Sequence, residues 1–212
     1  MRSYAFICLV GVLFLANCTV KYVKNSPQFE SSLKNFKRLT VAIDPSSGTG
    51  STEAAMIKSM AEQELSHHKE FIVYPDPENK NVKCEVKIGK SQGVLRLKVE
   101  ESTAGTVPYL YFWIAPALFG PPKNGIKLKV LASLQKCDTK ETLWEGSASS
   151  SYSLDNDEEQ SLSKVYESKF GKAAGKKAIP YYHILKSLLD EIDSPVLTEA
   201  EQDEKIEVEA GG

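Results

Sequence analysis

Two stretches of the chain alternate apolar and charged residues, and this alternation limits the fold more than any other feature. Residues 93–101 alternate around basic and acidic side chains, and residues 126–134 repeat the pattern around Lys127 and Lys129. Successive side chains of a β-strand point to opposite faces, so both stretches are predicted to be strands with one buried and one wet face. A turn at residues 138–140 and a further strand over residues 142–152 follow. Long strands joined by tight turns favour an antiparallel sheet.

The residues before these strands predict a β-α-β unit. Residues 39–43 are β-branched and apolar, which is typical of a buried strand. Residues 51–66 carry apolar side chains at helical spacing, and residues 71–74 predict a second strand that stops at Pro75. Downstream, residues 162–170 and 181–192 predict helices whose apolar stripe covers the sheet. The predicted class is therefore α+β: a β-α-β unit followed by antiparallel strands in one mixed sheet, covered on one face by helices.

Composition narrows the class of protein without identifying it. The 212 residues are 42% apolar and 25% charged, which is ordinary for a globular chain. The 26 basic residues against 28 acidic ones leave a formal net charge of -2, whereas a nucleic-acid-binding protein carries a basic excess. We therefore expect no nucleic-acid partner.

The first eighteen residues have the layout of a secretory leader. Arg2 supplies a positive start, residues 4–15 are uncharged and mostly apolar, and small residues precede Cys18. The closing residues Leu-Ala-Asn-Cys resemble a bacterial lipobox, in which the cysteine becomes the first mature residue and is acylated. Asn17 departs from the usual Gly or Ala, although looser spirochaetal lipoboxes accept it. The alternatives are a plain cleaved leader with an incidental cysteine, or an uncleaved anchor.

Acylation of Cys18 sets the expected domain organisation and location. Residues 1–17 are the signal peptide, and residues 18–35 are the lipidated N-terminus and a polar tether. Residues 36–195 form one α+β domain, and residues 196–212 form an acidic tail that we expect to be frayed. Because more than one acyl chain gives stable attachment, we expect the chain to stay on a membrane. Thr19 and Val20 follow Cys18 in place of the Asp that commonly signals inner-membrane retention, so we expect the bacterial outer membrane, with the domain facing the periplasm or the cell surface.

The remaining cysteines predict a disulfide. Cys8 leaves with the leader, so Cys84 and Cys137 are the pair left in an oxidising compartment. A bridge between them would close a loop of about 50 residues. By lowering the entropy of the unfolded chain, it would stabilise the fold by about 4 kcal/mol. The alternative is two buried thiols that are too far apart to meet.

Residues 107–120 are the strongest candidate for a contact surface. They carry no charge, and they include six large apolar or aromatic side chains: Tyr109, Tyr111, Phe112, Trp113, Leu118 and Phe119. The segment is too short to span a bilayer as a helix. One interpretation is an extra strand or flap folded over the core. The other is an exposed loop that docks on a membrane surface or a partner protein.

No catalytic, cofactor or metal site is predicted. Gly48 and Gly50 lie between a strand and a helix, but the remaining residues of a phosphate-binding fingerprint are missing, so we expect a plain turn. His67 and His68 end the first long helix, where a cation interacts well with the helix dipole. His183 has no ligand or catalytic partner at a recognisable spacing. The protein is therefore expected not to be an enzyme.

The turn at residues 136–144 carries a resemblance to a known group. Its sequence, Lys-Cys-Asp-Thr-Lys-Glu-Thr-Leu-Trp, is similar to a hairpin in domains resembling the TolB amino-terminal fold. That group includes the periplasmic activators of penicillin-binding proteins and the curli-secretion lipoprotein. The Pro-Tyr-Tyr helix start at residues 180–182 and the ending at residues 195–206 resemble uncharacterised spirochaete and myxobacterial outer-membrane lipoproteins. The resemblance implies a fold and an envelope location, and it brings no catalytic residues.

Three functions remain open from the sequence. The first is a non-enzymatic binding or assembly module that engages an envelope protein through residues 109–119 or a sheet edge. The second is an accessory lipoprotein of a lipid or solute export system, in which the apolar segment contacts acyl chains. The third is an envelope hydrolase, which would require Asp44, His68 and a serine to meet in one cleft.

Overall fold

The alternating stretches do form long strands of one sheet. The computed structural model describes residues 20–27, 29–33, 36–80, 82–84, 91–103, 125–153 and 161–211. Within these residues the predicted α+β class is confirmed. The strands are β1 (Val20–Asn25), β2 (Arg38–Ile43), β3 (Ile72–Val73), β4 (Gly93–Thr103), β5 (Gly125–Lys136) and β6 (Thr142–Ser153). The helices are α1 (Phe29–Leu33), α2 (Ser51–Gln63), α3 (Ser161–Phe170), α4 (Lys172–Gly175), α5 (Ala178–Leu189) and α6 (Glu199–Ala210), and a π-helical turn (Glu64–His68) continues α2.

The sheet is mixed, as predicted. Its strand order in the described residues is β1-β6-β5-β4-β2-β3. Strand β2 runs parallel to β3 and to β4, which completes the β-α-β unit through α2. The pairs β4–β5, β5–β6 and β1–β6 are antiparallel. The parallel half and the antiparallel half therefore meet at β4, which is parallel to β2 and antiparallel to β5.

The alternation of β4 decides which face of the sheet is buried. Leu95, Leu97 and Val99 are fully buried in the same hydrophobic core as residues of α2 and α5, whereas Arg96 and Lys98 point to the other face. Trp144 of β6 and Tyr181 of α5 are the largest side chains of this core. The helices thus cover one face of the sheet because the apolar side chains of its long strands all lie there.

Close packing at the start of β4 explains why residue 93 is a glycine. A methyl group on Gly93 would lie 2.4 Å from the carbonyl oxygen of Gln135 and 2.4 Å from Cζ of Phe36. The Gln135 oxygen belongs to the paired strand β5, and Phe36 is buried at 2% exposure. The backbone of β5 and the ring of Phe36 therefore leave no room for a side chain at this position.

We predict that Gly93→Ala lowers the free energy of unfolding by about 1–3 kcal/mol, because overpacking a dense core forces backbone shifts. Gly48→Ala is the matched control, since no heavy atom lies within 4 Å of the added methyl group. Urea unfolding monitored by tryptophan fluorescence measures both variants. Equal midpoints for the two variants would contradict the packing argument.

The predicted polar tether is wrong for residues 20–25. They form edge strand β1, which pairs with β6 from Val20 opposite Ser149 to Asn25 opposite Trp144. Just beyond, Phe29 of α1 is buried in the main core. Polar residues such as Lys21 and Lys24 are typical of an edge strand, which natural sheets protect with charge. Polarity alone therefore did not distinguish a tether from a protected edge.

The expectation of a frayed acidic tail is also wrong. Residues Glu199–Ala210 form helix α6, which begins with a capping box between Thr198 and Glu201 and lies beside β3. Arg38 of β2 donates to both carboxylate oxygens of Glu204, at 2.8 and 2.7 Å, and Nζ of Lys37 lies 2.6 Å from Glu201. The acidic residues thus fold because basic residues at the β2–β3 edge pair with them.

We predict that α6 loosens from the sheet in acid. The hydrogen bond from Lys37, with those from Thr198, lowers the pKa of Glu201 from its ordinary value of 4.5 to about 2. A carboxylate with a depressed pKa stabilises the fold above its unfolded pKa, and that contribution is lost as the pH falls from 4.5 toward 2. The protection factors of residues 199–210, which correct for the intrinsic pH dependence of amide hydrogen exchange, should therefore fall over this window.

Two variants on α6 test the assignment to Glu201. Glu201→Gln should show fast exchange already at neutral pH and a weaker response to acid. Glu207→Gln removes an exposed charge from the same helix and should behave as the unaltered chain. Identical behaviour of the two variants would show that Glu201 does not hold the helix.

Candidate functional site

The face of the sheet opposite the helices is lined with polar and charged side chains. We call it the open sheet face. Its members are the exposed or half-buried outward side chains of β1, β4, β5 and β6: Tyr22, Lys24, Arg96, Lys98, Glu100, Ser102, Lys127, Lys129, Leu131, Ser133, Gln135, Glu145 and Ser147. They lie in register across four strands, so they form one continuous surface. The alternation in β4 and β5 predicted a wet face, but it did not show that β1 and β6 extend it.

A cavity of about 350 Å³ opens on this face. Leu131 and Gly146 form part of its apolar floor, and Tyr22, Arg96 and Glu145 contribute polar walls. The Nε atom of Arg96 is buried and has no hydrogen-bond partner in the part of the chain that the structure describes. A groove with this lining can accept an anionic or hydrogen-bonding group.

Asp44 lines the same cavity at the end of β2. Hydrogen bonds from the hydroxyl and the backbone N–H of Ser46 lower the pKa of Asp44, and the nearby charges of Lys98 and Arg96 lower it further. The carboxyl group is therefore ionised at neutral pH. It acts as a fixed negative charge and does not serve as a proton donor there.

The turn that carries Gly48 and Gly50 leads from β2 into α2. A second crevice, of about 330 Å³, lies beside it at the carboxyl end of β2. The backbone N–H of Gly48 donates to Val99, and the hydroxyl of Ser47 accepts from the backbone N–H of Val99. These hydrogen bonds hold the turn against β4, so the turn has a structural role.

The three histidines are scattered over the surface. His67 and His68 are exposed in the π-helical turn, and His183 is exposed on α5. Asp44 precedes α2 whereas His68 ends the turn that continues it, which separates them by about 25 Å of helix. The Asp–His–Ser cleft that a hydrolase would require is therefore not formed by these two residues. In the described residues no group of three or more His, Cys, Asp or Glu is placed to hold a metal ion.

Cys84 and Cys137 meet in a small second core on the open side of the sheet. Both are buried with Ala42 and Val94. Burial raises the pKa of the Cys84 thiol to about 12, and its hydrogen bond with Cys137 adds to the effect. Two residues 53 positions apart in sequence are thus neighbours in space. Both thiols are free in the structure, so the disulfide stays a prediction.

We predict that the exported protein yields no free thiol from Cys84 or Cys137 when it is unfolded without reductant and titrated with a thiol reagent. Reduction should lower the free energy of unfolding by about 4 kcal/mol, because the cross-link restricts the unfolded chain. The double variant Cys84→Ser with Cys137→Ser is the control, and its stability should not respond to reductant. Two titratable thiols in the exported protein would contradict the bridge.

A half-buried ionic cluster on the helical side was not anticipated from the sequence. Nζ of Lys177 lies 3.1 Å from Oε2 of Glu53 and also contacts Glu101, and the hydroxyl of Tyr181 donates to Glu53 at 2.6 Å. Burial opposes the charge of Lys177, but the two carboxylates raise its pKa above the ordinary value. The cluster joins α2, β4 and α5, so it fixes the helices on the sheet. No local motif could have revealed it, because its members come from three distant segments.

The predicted lipidation and contact residues lie outside the described residues. These are Cys18 and the six side chains of the apolar segment: Tyr109, Tyr111, Phe112, Trp113, Leu118 and Phe119. Both assignments therefore stay predictions. Among the described residues, every helix is too short or too polar to cross a bilayer.

Comparison with known proteins gives structural likenesses and no family. No protein-family model matches the chain, and no curated protein matches it. The PelC dodecamer from Paraburkholderia phytofirmans is similar at a TM-score of 0.48 and 12% identity, covering 83% of this chain and 99% of that one. The lipoprotein GNA1162 from Neisseria meningitidis is similar at 0.42 and 16% identity, covering 65% and 97%.

A third solved structure is more distant. A minor lipoprotein from Acinetobacter baumannii gives a TM-score of 0.25 at 13% identity, covering 73% of this chain and 97% of that one. Because these TM-scores lie below 0.5, the likenesses assign neither a family nor a function. The resemblance of residues 136–144 to TolB-like domains stays a prediction.

Proposed function

We propose that the chain is a lipoprotein of the bacterial outer membrane that serves as a non-enzymatic binding or assembly module. The observation that carries this proposal is the N-terminal apolar stretch that closes with Leu-Ala-Asn-Cys, with Cys18 two positions before the first strand. The acyl chains on Cys18 would hold the domain at the membrane surface. Its task there is to engage another envelope protein.

The strand register relates the anchor to the apolar segment. Val20 lies opposite Ser149, Ser149 lies opposite Lys129, and Lys129 lies opposite Glu100, so these residues form one row across the sheet. Beyond that row, β4 ends at Thr103 and β5 begins at Gly125. The chain that leads back to Cys18 and both ends of residues 104–124 therefore leave the same end of the sheet.

This shared end supports a contact close to the bilayer. Trp113 and Phe112 belong to an uncharged segment rich in aromatic residues, and aromatic side chains are enriched where proteins bind one another. A segment attached beside the anchor is well placed to meet a partner that is itself embedded in the membrane. We therefore assign the partner contact to residues 107–120.

The anchor is tested on the native protein. Mass spectrometry of the mature chain should find Cys18 as an acylated first residue, and Cys18→Ser should leave the membrane fraction. An unacylated Cys18 or a retained leader would overturn the proposal.

The contact is tested by crosslinking in intact envelopes. Phe112→Ser with Trp113→Ser should abolish crosslinking to the major partner, because both aromatic contact residues are lost. The chain should stay in the membrane fraction, because Cys18 is unchanged. Val196→Ser with Ile206→Ser is the matched control, since both side chains are exposed apolar groups elsewhere, at 84% and 63% exposure. An unchanged crosslinking pattern for the Phe112/Trp113 variant would show that this segment is not the contact.

A second candidate function also uses the position of the apolar segment at the same end of the sheet as the anchor. An apolar segment that leaves the sheet beside the anchor could contact acyl chains within a lipid or solute export system. Lipid that copurifies with a chain lacking Cys18, and disappears in the Phe112/Trp113 variant, would favour this role over a protein partner.

A further inference from the structure

We propose that the open sheet face docks on the anionic headgroups of a phospholipid bilayer. The argument rests on the proposed anchor at Cys18, on the charge of the face and on one exposed tyrosine. The occupant of this face is therefore the membrane surface itself, rather than a second protein.

The face is basic in a chain that is acidic overall. Among its described members, five cations (Lys24, Arg96, Lys98, Lys127 and Lys129) stand against Glu100 and Glu145, with Asp44 at the margin. The whole chain has a net charge of -2. Glu100 pairs with both Lys98 and Lys129, at 3.5 and 3.6 Å, so one carboxylate serves two cations. The cations of the face therefore outnumber its carboxylates.

Among the described residues, helix α6 carries six acidic side chains and lies against β3, whereas the open sheet face extends to β1 at the opposite edge. Charge is therefore separated across the described part of the sheet. An anionic surface attracts the β1 side and repels the α6 side, which gives the domain a preferred orientation.

The anchor brings this face within reach of headgroups. Val20 lies two positions after Cys18, and an extended chain covers at most about 7 Å over that length. Lys129 shares the row of Val20, and Lys98 and Tyr22 lie one row further along the strands. Screened charges act over about 8–10 Å in physiological salt, so these cations lie within range of the bilayer surface.

Tyr22 adds an amphipathic contact on the edge strand. Its side chain is 61% exposed although it is large and aromatic. Tyrosine is enriched at membrane interfaces because its ring is apolar and its hydroxyl stays hydrated. Leu131, half-buried in the neighbouring cavity, extends the apolar contact beneath it.

The test uses a chain that begins at Thr19, which retains every described element and lacks both the leader and Cys18. Its cosedimentation is compared on vesicles of phosphatidylcholine alone and of phosphatidylcholine mixed with phosphatidylglycerol. Binding should require phosphatidylglycerol and should weaken as salt is added. Equal binding to both kinds of vesicle, or to neither, would overturn the proposal.

Two triple variants locate the binding surface. Lys24→Gln, Lys98→Gln and Lys129→Gln together should weaken binding on the order of 100-fold, since each cation near an anionic surface contributes about fivefold. Lys172→Gln, Lys176→Gln and Lys186→Gln remove the same charge from exposed positions on the helical side and should weaken it far less. Equal losses would show a general charge effect and not a docking face.

An acidic protein is the rival occupant of the face. If the chain binds poly-glutamate but neither kind of vesicle, the face recognises an acidic polypeptide and the membrane proposal fails. Because the tested chain lacks Cys18, this outcome leaves the lipid anchor untouched, whereas an unacylated native Cys18 would overturn the anchor without changing the vesicle result.

Discussion

The register of the four antiparallel strands is the constraint on which the rest of the structure depends. In β4 it places Leu95, Leu97 and Val99 under the helices and leaves Arg96 and Lys98 on the open sheet face. A slip of one residue would exchange the two faces, burying the charges and exposing the core. The same alternation therefore defines both the hydrophobic core and the surface available for binding.

Ionic contacts between distant segments then fix the helices on this sheet. The cluster of Lys177 with Glu53 and Glu101 holds α5 and α2, and Arg38 with Glu204 holds α6 at the far edge. Most of these groups are shielded from solvent, so each pair also discourages competing arrangements that would leave a charge unpaired. One consequence is that the acidic residues of α6 are drawn to the β3 side, away from the cations of the open sheet face.

Local patterns of apolar and polar residues predicted much of the fold. The alternation of residues 93–101 and 126–134 predicted the long strands, and the β-α-β unit followed from apolar periodicity and turn residues. Errors arose at the two ends of the chain. Residues 20–25 were interpreted as a tether and residues 199–210 as a frayed tail, because both are polar and neither has a strong pattern of its own. Each is ordered by a partner distant in sequence: β6 pairs with the first, and Lys37 and Arg38 at the start of β2 hold the second.

The features of the candidate site also divide into those visible in local sequence and those that depend on the folded structure. The apolar stretch before Cys18, the uncharged segment at residues 107–120 and the basic positions of β4 and β5 are properties of consecutive residues, so they are visible without the fold. Tertiary contacts alone brought Cys84 beside Cys137, joined Tyr22 to Arg96 on one face, and placed strand β1 at the edge of that face. Hydrophobic periodicity is a local property that a short stretch of sequence displays, whereas strand pairing and ion pairing depend on segments that meet only after the chain has folded.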